Sequence, residues 1–282
     1  MKLLTSVVLL VASGAISSGQ SVDIDGLQGL GETQHHVVTS ESLDKRFHVL
    51  VGLPDGYDQS GDSTYPTVYI LDGGELYPLL KAYSRYLRNG GEAPDLILVA
   101  ISYGTSDWQS GNDRGHDYTA PTDEREHWGG AADFQMFLSD ELIPFIEGHY
   151  RSREDRRVIF GQSLGGQFVL YTAQTQPDLF WGHIASNPAL HRNLSLFLEL
   201  HPEPPATTSH LFVGDASNDD PRFLEPRLKW IEHWSGQAEK PWRLRVETLE
   251  GHNHFSAPPA SFRRGIRWLI ADYPEESEQG TN

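Results

Sequence analysis

Short apolar runs separated by turn residues recur along most of this chain. The run at 46–54 alternates between apolar and polar positions, which is typical of a half-buried strand. The runs at 65–74 and 94–102 are almost continuously apolar, as in strands that are covered on both faces. Similar short runs follow at 156–163, 182–188, 209–215 and 242–250. The pattern therefore predicts seven strands.

Segments with a helical period of apolar residues lie between these runs. Residues 130–148 carry one apolar face, in which Pro144 is expected to kink or end the helix. Further helices are predicted after Ser163, from near Pro221, and through the segment that contains Phe262 and Ile266. Alternating strands and helices predict an α/β protein with a mostly parallel, doubly wound sheet and helices on both faces.

The first residues have the pattern of an export signal. Lys2 is followed by an apolar run at 3–12 and by small residues at 13–15. That run is too short to span a bilayer as a helix, so cleavage is favoured over a retained anchor. We expect a signal peptide at 1–19 with cleavage near 15–19, a single domain at 20–282 with a frayed tail from about 275, and a secreted or periplasmic protein.

The charge and the cysteine content of the chain limit the classes of partner that it could bind. The chain has 22 basic and 39 acidic residues, a net charge of −17. Such a charge argues against nucleic acid or an anionic membrane surface as partner, because both would be repelled. The chain has no cysteine, so it has neither a disulfide nor a lipid-attachment thiol.

The stretch VIFGQSLGGQFVL at 158–170 holds the strongest chemical signal. Ser163 lies between Gly161 and Gly165, directly after a predicted strand and before a predicted helix, as a nucleophile elbow requires. Side chains at the two glycine positions would collide with so tight a turn. An ordinary glycine-rich turn is the alternative.

An acid and a base are available in later loops. A serine hydroxyl needs a base to take its proton, and the base needs an orienting acid. Asp215, Asp219 and Asp220 follow the strand at 209–215, and His252 and His254 follow the strand at 242–250. The chain order Ser–Asp–His is therefore present. The two histidines lack a third ligand at motif spacing, and we expect no metal and no cofactor.

The transition state of ester cleavage also needs two aimed N–H donors. Leu164, the residue after the proposed nucleophile, is one candidate. Gly74, in the turn that follows the strand at 65–74, is the other. Both are expected to form the oxyanion hole.

The chain resembles the putative-esterase family of α/β hydrolases, which includes enterochelin-esterase-like and esterase-D-like enzymes and mycolyl transferases. The resemblance runs in order through about 34–272, in the stretches PTVYILDGG, LVAISYG, DRGHDYTAPT, FLSDELIPFIEGHYR, VIFGQSLGGQFVLY, PDLFWGHIASNPAL and GHNHFSAPPASFRRGIRWL. It implies the α/β-hydrolase fold, with Ser163 as nucleophile and His254 as base. It also implies an acid in the loop DASNDDP, where Asp220 best matches the family position.

Two assignments stay open at this stage. Asp220 precedes Pro221 and also fits a helix N-cap, so Asp215 and Asp219 remain alternative acids. The loop at 111–122 resembles a family segment near the active site, and its Arg114, Asp117 and Tyr118 are candidates for substrate binding. A solvated loop with an internal Arg–Asp pair is the alternative.

The sequence therefore predicts an exported serine hydrolase that cleaves a small-molecule carboxylic ester through an acyl-enzyme intermediate. Siderophore trilactones, acylated sugars and feruloyl- or acetyl-xylan esters all suit such an enzyme. An acyltransferase with the same triad and a catalytically inactive α/β-hydrolase-like binding module are the alternatives.

Overall fold

The structure is a computed structural model that describes residues 20–21, 27–200 and 205–271. The expected signal peptide at 1–19 and the expected frayed tail from about 275 lie outside the described residues. In the described ranges, no helix has both the length and the apolar character needed to cross a membrane.

A nine-stranded sheet organises the described chain. Its spatial order is β1-β2-β3-β5-β4-β6-β7-β8-β9. Strands β4 to β9 run parallel to one another, whereas β1 pairs antiparallel with β2, β2 with β3, and β3 with β5. The strands are β1 Gln20–Ser21, β2 Thr33–Ser40, β3 Lys45–Gly52, β4 Tyr65–Ile70, β5 Ile97–Ser102, β6 Ser152–Gln162, β7 Gly182–Ser186, β8 Ser209–Ala216 and β9 Trp242–Leu249.

Helices cover both faces of this sheet. They are α1 Gly73–Asn89, α2 Arg114–Asp117, α3 Ala131–Phe137, α4 Ile143–His149, α5 Leu164–Thr175, α6 Leu194–Glu199, α7 Pro221–Gly236 and α8 Ala257–Ala271. Helices α1 and α8 pack together on one face, and α5 packs on β6 and β7 from the other. Alternate residues of β5 enter two separate cores: Val99 belongs to the core that contains Phe168 of α5, and Leu98 belongs to the core that contains Leu80 of α1.

The doubly wound α/β architecture is as the pattern predicts, and each of the seven apolar runs forms a strand. The predicted helix at 130–148 is interrupted by a π-helical turn at Leu138–Leu142, and Pro144 lies in the first turn of α4. Proline lacks an N–H and cannot continue a helical hydrogen-bond ladder, which accounts for the break at that place. Strand β2 and helix α1 were not evident from the apolar pattern.

Candidate active site

Ser163 occupies a strained turn between β6 and α5. Its backbone has φ 59° and ψ −114°, a conformation that L-residues rarely adopt. A Cβ atom at Gly161 would lie 2.2 Å from the carbonyl oxygen of Gly165, and one at Gly166 would lie 2.9 Å from that of Ser186. The glycines therefore permit the tight turn that presents the serine hydroxyl.

Two helix N-termini lie beside this serine. Helix α5 begins at Leu164 and helix α1 at Gly73, and the first amides of a helix have no acceptor within it. Gly74 lines the same cleft as Ser163, and Leu164 lines an adjoining pocket that also reaches Ser163. The structure thus brings both expected oxyanion-hole residues to pockets that Ser163 also lines.

The imidazole of His254 is held by a buried carboxylate. Nδ1 of His254 lies 3.0 Å from Oδ2 of Asp219, whose side chain is 1% exposed. The same oxygen accepts a hydrogen bond from Arg227 Nη1 at 2.9 Å, and Oδ1 accepts one from the Asp220 N–H at 2.8 Å. Burial alone would raise the pKa of Asp219, but the hydrogen bonds from His254 and Arg227 outweigh it and hold that pKa below its usual value.

The expected pairing of Asp220 with the histidine is wrong. Oδ1 of Asp220 instead accepts the N–H of Arg222 at 2.9 Å, so Asp220 is the N-cap of α7 and Pro221 is its first residue. Asp–Pro is a favoured helix start, and the cap geometry directs the carboxylate toward the helix amides. Asp219, one of the alternatives, contacts the imidazole, and Asp215 bonds to Arg227.

Two residues that the sequence did not reveal position the histidine loop. Gln162, directly before the serine, donates from Nε2 to the His254 carbonyl at 2.7 Å. Phe223 of α7 stacks on the imidazole, with ring centroids 4.8 Å apart and planes 24° apart. The place of Gln162 next to the elbow was the one available signal; the Phe223 contact depends on how α7 packs.

These groups meet at one cleft of about 1160 Å³. Its walls include Ser163, Asp219, His254, Gly74 and Arg114. Ser163 and His254 therefore line a common space that is large enough for a substantial organic substrate.

Of the three candidates in the loop at 111–122, one reaches the cleft. Arg114 lines it and donates to both oxygens of Asp72, at 2.6 and 2.8 Å. Burial would lower the pKa of Arg114, but the Asp72 carboxylate outweighs it and raises that pKa. Asp72 caps α1 in a left-handed conformation, φ 54° and ψ 39°. The Arg114–Asp72 pair therefore supports the backbone that presents Gly74.

The expected substrate contacts of Asp117 and Tyr118 are wrong, because both residues are 0% exposed. Asp117 accepts hydrogen bonds from Lys45 Nζ at 2.5 Å and from the Tyr103 hydroxyl at 2.8 Å. Tyr118 packs in the core, and its hydroxyl accepts the Asp72 N–H at 3.4 Å. Asp117 and Tyr118 instead hold the loop at 111–122 in place, because their polar atoms bond to neighbouring segments of the chain.

Asp113, His116 and Asp117 bring potential metal-ligand atoms within 4.8 Å of one another. The ammonium of Lys45 lies 2.5 Å from a carboxylate oxygen of Asp113 and 2.5 Å from one of Asp117. Because this cation already binds both carboxylates, the cluster is accounted for as a half-buried ion network, in which Asp117 is the fully buried member.

A second pocket of about 440 Å³ opens beside Ser163. We call it the arginine pocket; it is lined by Arg114, Arg125, Arg192, Arg222, Trp128, His191, Phe223, Ala189, Leu164 and Ser163. Burial, followed by Arg192 and Arg222, lowers the pKa of His191 to about 4, so this histidine is neutral at pH 7. The positive charge of the arginine pocket therefore comes from guanidinium groups.

Sequence comparison finds relatives of this chain among esterases. The family described as "Putative esterase" matches residues 40–260. Ferri-bacillibactin esterase BesA of Bacillus subtilis (strain 168) is 27% identical over 272 residues, which cover 84% of this chain and 89% of the relative. The siderophore triacetylfusarinine C esterase of Aspergillus fumigatus is 24% identical over 256 residues, 77% of this chain and 85% of the relative.

Solved structures share the fold. The IroE-like serine hydrolase from Shewanella oneidensis superposes with a TM-score of 0.74 at 25% identity, over 86% of this chain and 81% of that chain. The BES protein from Bacillus cereus gives a TM-score of 0.70 at 23% identity, over 84% and 94% of the two chains. The doubly wound sheet is therefore that of the α/β hydrolases.

Proposed function

Because the chain belongs to the putative esterase family and is a carboxylic-ester hydrolase, we propose that it works through an acyl-enzyme on Ser163, with His254 as base and Asp219 as orienting acid. The observation that carries this proposal is the 3.0 Å contact between His254 Nδ1 and the buried Asp219 carboxylate, at a cleft that Ser163 also lines. The proposed triad therefore has Asp219 where the sequence led us to expect Asp220.

The proposed chemistry follows from these positions. With a proton on Nδ1 bonded to Asp219, Nε2 of His254 is free to accept the Ser163 proton as Oγ attacks the ester carbonyl. The Leu164 and Gly74 amides stabilise the oxyanion, and the protonated imidazole then donates its proton to the leaving alcohol. Water, deprotonated by the same imidazole, attacks the acyl-enzyme and releases the acid.

The substrate that fits best is a siderophore ester with a negatively charged acyl part. The arginine pocket adjoins both Ser163 and Leu164, so an acyl group bound at the serine would meet guanidinium groups. Relatives named as siderophore esterases support this class. The signal-like residues at 1–19 support export to the periplasm or the medium, where such esters are met.

The chemical part of the proposal is tested by turnover of p-nitrophenyl acetate. Ser163→Ala and His254→Gln are each expected to lower kcat by about 10³-fold or more. Ser139→Ala, which removes a half-buried hydroxyl that lines neither pocket from the turn between α3 and α4, is the matched control and should retain wild-type turnover. A Ser163→Ala protein that folds and keeps its activity would refute the assignment.

A further inference from the structure

Behind the histidine lies a row of three buried charges. Arg227 of α7 donates from Nε to Oδ1 of Asp215 at 2.6 Å and from Nη1 to Oδ2 of Asp219 at 2.9 Å. Its third contact is the Ala216 carbonyl, at 3.3 Å from Nη2. The side chains of Arg227, Asp215 and Asp219 are 0%, 5% and 1% exposed.

Stability alone does not account for this row. Moving ionised groups out of water is costly, and apolar residues of similar volume often stabilise a core as well as a buried ion pair does. The ester chemistry as proposed needs only Asp219, yet the fold buries a second carboxylate and a guanidinium directly behind it. A role that depends on their charge is therefore favoured.

The net charge of Arg227, Asp215 and Asp219 depends on all three residues being present. One guanidinium lies between two carboxylates, so the row carries one net negative charge, and its open end is the Asp219 oxygen that faces His254. Asp215 without Arg227 would add a second negative charge near the imidazole. Arg227 without Asp215 would neutralise Asp219 and leave the imidazolium with no opposing charge.

We propose that Asp215 and Arg227 are positioning residues that act through Asp219, fixing its carboxylate against His254 and keeping one net negative charge behind the imidazole. The proposal rests on the proposed function, in which His254 is the base. Arg227 shares Oδ2 with the imidazole and so fixes the orientation of that oxygen. Asp215 cancels the charge that Arg227 brings, so that protonation of His254 during turnover is still stabilised.

Other charged and titratable groups around the imidazole are accounted for. They are Asp220 after β8, Arg222 at the start of α7, His252 on the same loop, and Asp72, Glu75, Tyr103 and Arg114 along the cleft. None of these is changed in the variants below, so their influence is the same in each protein that is compared.

The test uses a set of charge variants and one quantity, the pH at which His254 is half protonated. It is measured by NMR on histidine-labelled protein, with the signal assigned by His254→Gln, and by the acidic limb of kcat/KM for p-nitrophenyl acetate. Asp215→Asn is expected to lower this midpoint by about 1 pH unit, and Arg227→Gln is expected to raise it by a similar amount. The double variant should return it close to the wild-type value.

A purely structural role would not give these opposite signs. If Asp215→Asn and Arg227→Gln move the midpoint in the same direction, or leave it unchanged, the proposal is overturned. Arg227→Lys keeps the charge and should keep the midpoint while lowering kcat, because lysine cannot form the two-sided bridge. Should Arg227→Gln fail to fold, Asp215→Asn and Arg227→Lys still give the decisive pair of values.

Failure of the proposed function would look different. The NMR midpoint is read without turnover, so it reports on the charge row whether or not His254 is the base. If the midpoints shift as expected while the kcat/KM profile does not follow them, the charge row stands and the base assignment falls.

Discussion

The carboxylate that contacts His254 belongs to Asp219 and not to its neighbour Asp220, because the loop directs the two side chains differently. Pro221 starts α7 and makes Asp220 its N-cap, which turns the preceding side chain toward His254. Arg227, two turns into the helix, then binds that side chain from behind. Two adjacent aspartates thus have different roles: Asp220 caps the helix and Asp219 contacts the imidazole.

Two isosteric substitutions distinguish these roles. Asp219→Asn is expected to lower kcat by about 10³- to 10⁴-fold, because the amide cannot hold the Nδ1–H tautomer or stabilise the imidazolium. Asp220→Asn should keep both activity and thermal stability, since asparagine caps a helix about as well as aspartate does. Kinetics on a p-nitrophenyl ester and thermal unfolding of both variants give the answer. Equal losses in the two variants would contradict the assignment.

At this scale the sequence predicted the serine and the histidine that line the cleft, but not the carboxylate that contacts the imidazole. Ser163 and His254 follow strands in recognisable patterns, so their places at the sheet edge could be anticipated. The choice among Asp215, Asp219 and Asp220 depends on the N-cap of α7 and on Arg227, a contact between residues eight apart on different elements. Asp117 and Tyr118 were misassigned because a polar loop sequence does not reveal which side chains turn inward.

At the scale of elements, the π-helical turn between α3 and α4 fastens the β2–β3 hairpin. Glu141 accepts hydrogen bonds at Oε1 from the Ser40 hydroxyl at 3.0 Å and from the Ser42 hydroxyl and amide, and at Oε2 from the Glu41 amide at 3.1 Å. Burial would raise the pKa of Glu141, but the hydrogen bonds from Ser42 and Ser40 outweigh it and lower that pKa.

This contact makes part of the stability depend on pH. Because the folded pKa of Glu141 lies below the unfolded value, its carboxylate stabilises the fold above about pH 4.3 and loses that effect as the pH falls through the folded pKa. Glu141→Gln is expected to lower the free energy of unfolding by about 1 kcal/mol at pH 7, and by less at pH 3. Urea unfolding at both pH values measures it; a loss that grows toward pH 3 would contradict the interpretation.

Among the elements, the buried parallel strands were the most predictable and β2 and α1 the least. Strands β4 and β5 lie inside the sheet and are covered on both faces, so their sequences are almost continuously apolar. Strand β2 reads TQHHVVTS, and its buried His36 finds a hydrogen-bond partner in Tyr150, a contact that the local sequence does not show. Helix α1 begins at two glycines and contains Pro78, which obscures its start.

At the scale of the whole molecule, the site lies at the carboxyl ends of parallel strands. Asp72 follows β4, Ser163 follows β6, Asp219 follows β8 and His254 follows β9. Loops at this edge of an open α/β sheet are where such folds bind ligands. The chain as a whole carries a net charge of −17, yet four arginines line the pocket beside Ser163, and only Arg114 and Arg192 of these form ion pairs among the described residues, with Asp72 and Glu124. Positive charge in the arginine pocket of an otherwise acidic protein favours the binding of an anionic group there.

This contrast predicts selectivity for anionic acyl groups. Arg125→Gln is expected to raise KM about threefold for a p-nitrophenyl ester with a carboxylate on its acyl part, and to leave KM for the acetate ester unchanged. The difference should shrink in 0.5 M salt, where charges on the surface are screened. Arg245→Gln, on the β9 edge, is the matched control with the same change in net charge. Equal KM changes for the charged and neutral esters would contradict an anionic acyl site.

The most direct test of the central claim is the site of covalent labelling by diisopropyl fluorophosphate, read by peptide mass spectrometry. The proposed mechanism gives one adduct per chain, on Ser163, formed slowly in His254→Gln and absent in Ser163→Ala. A folded protein that takes up no label, or takes it up on another residue, would contradict the claim that Ser163 is the nucleophile of this esterase.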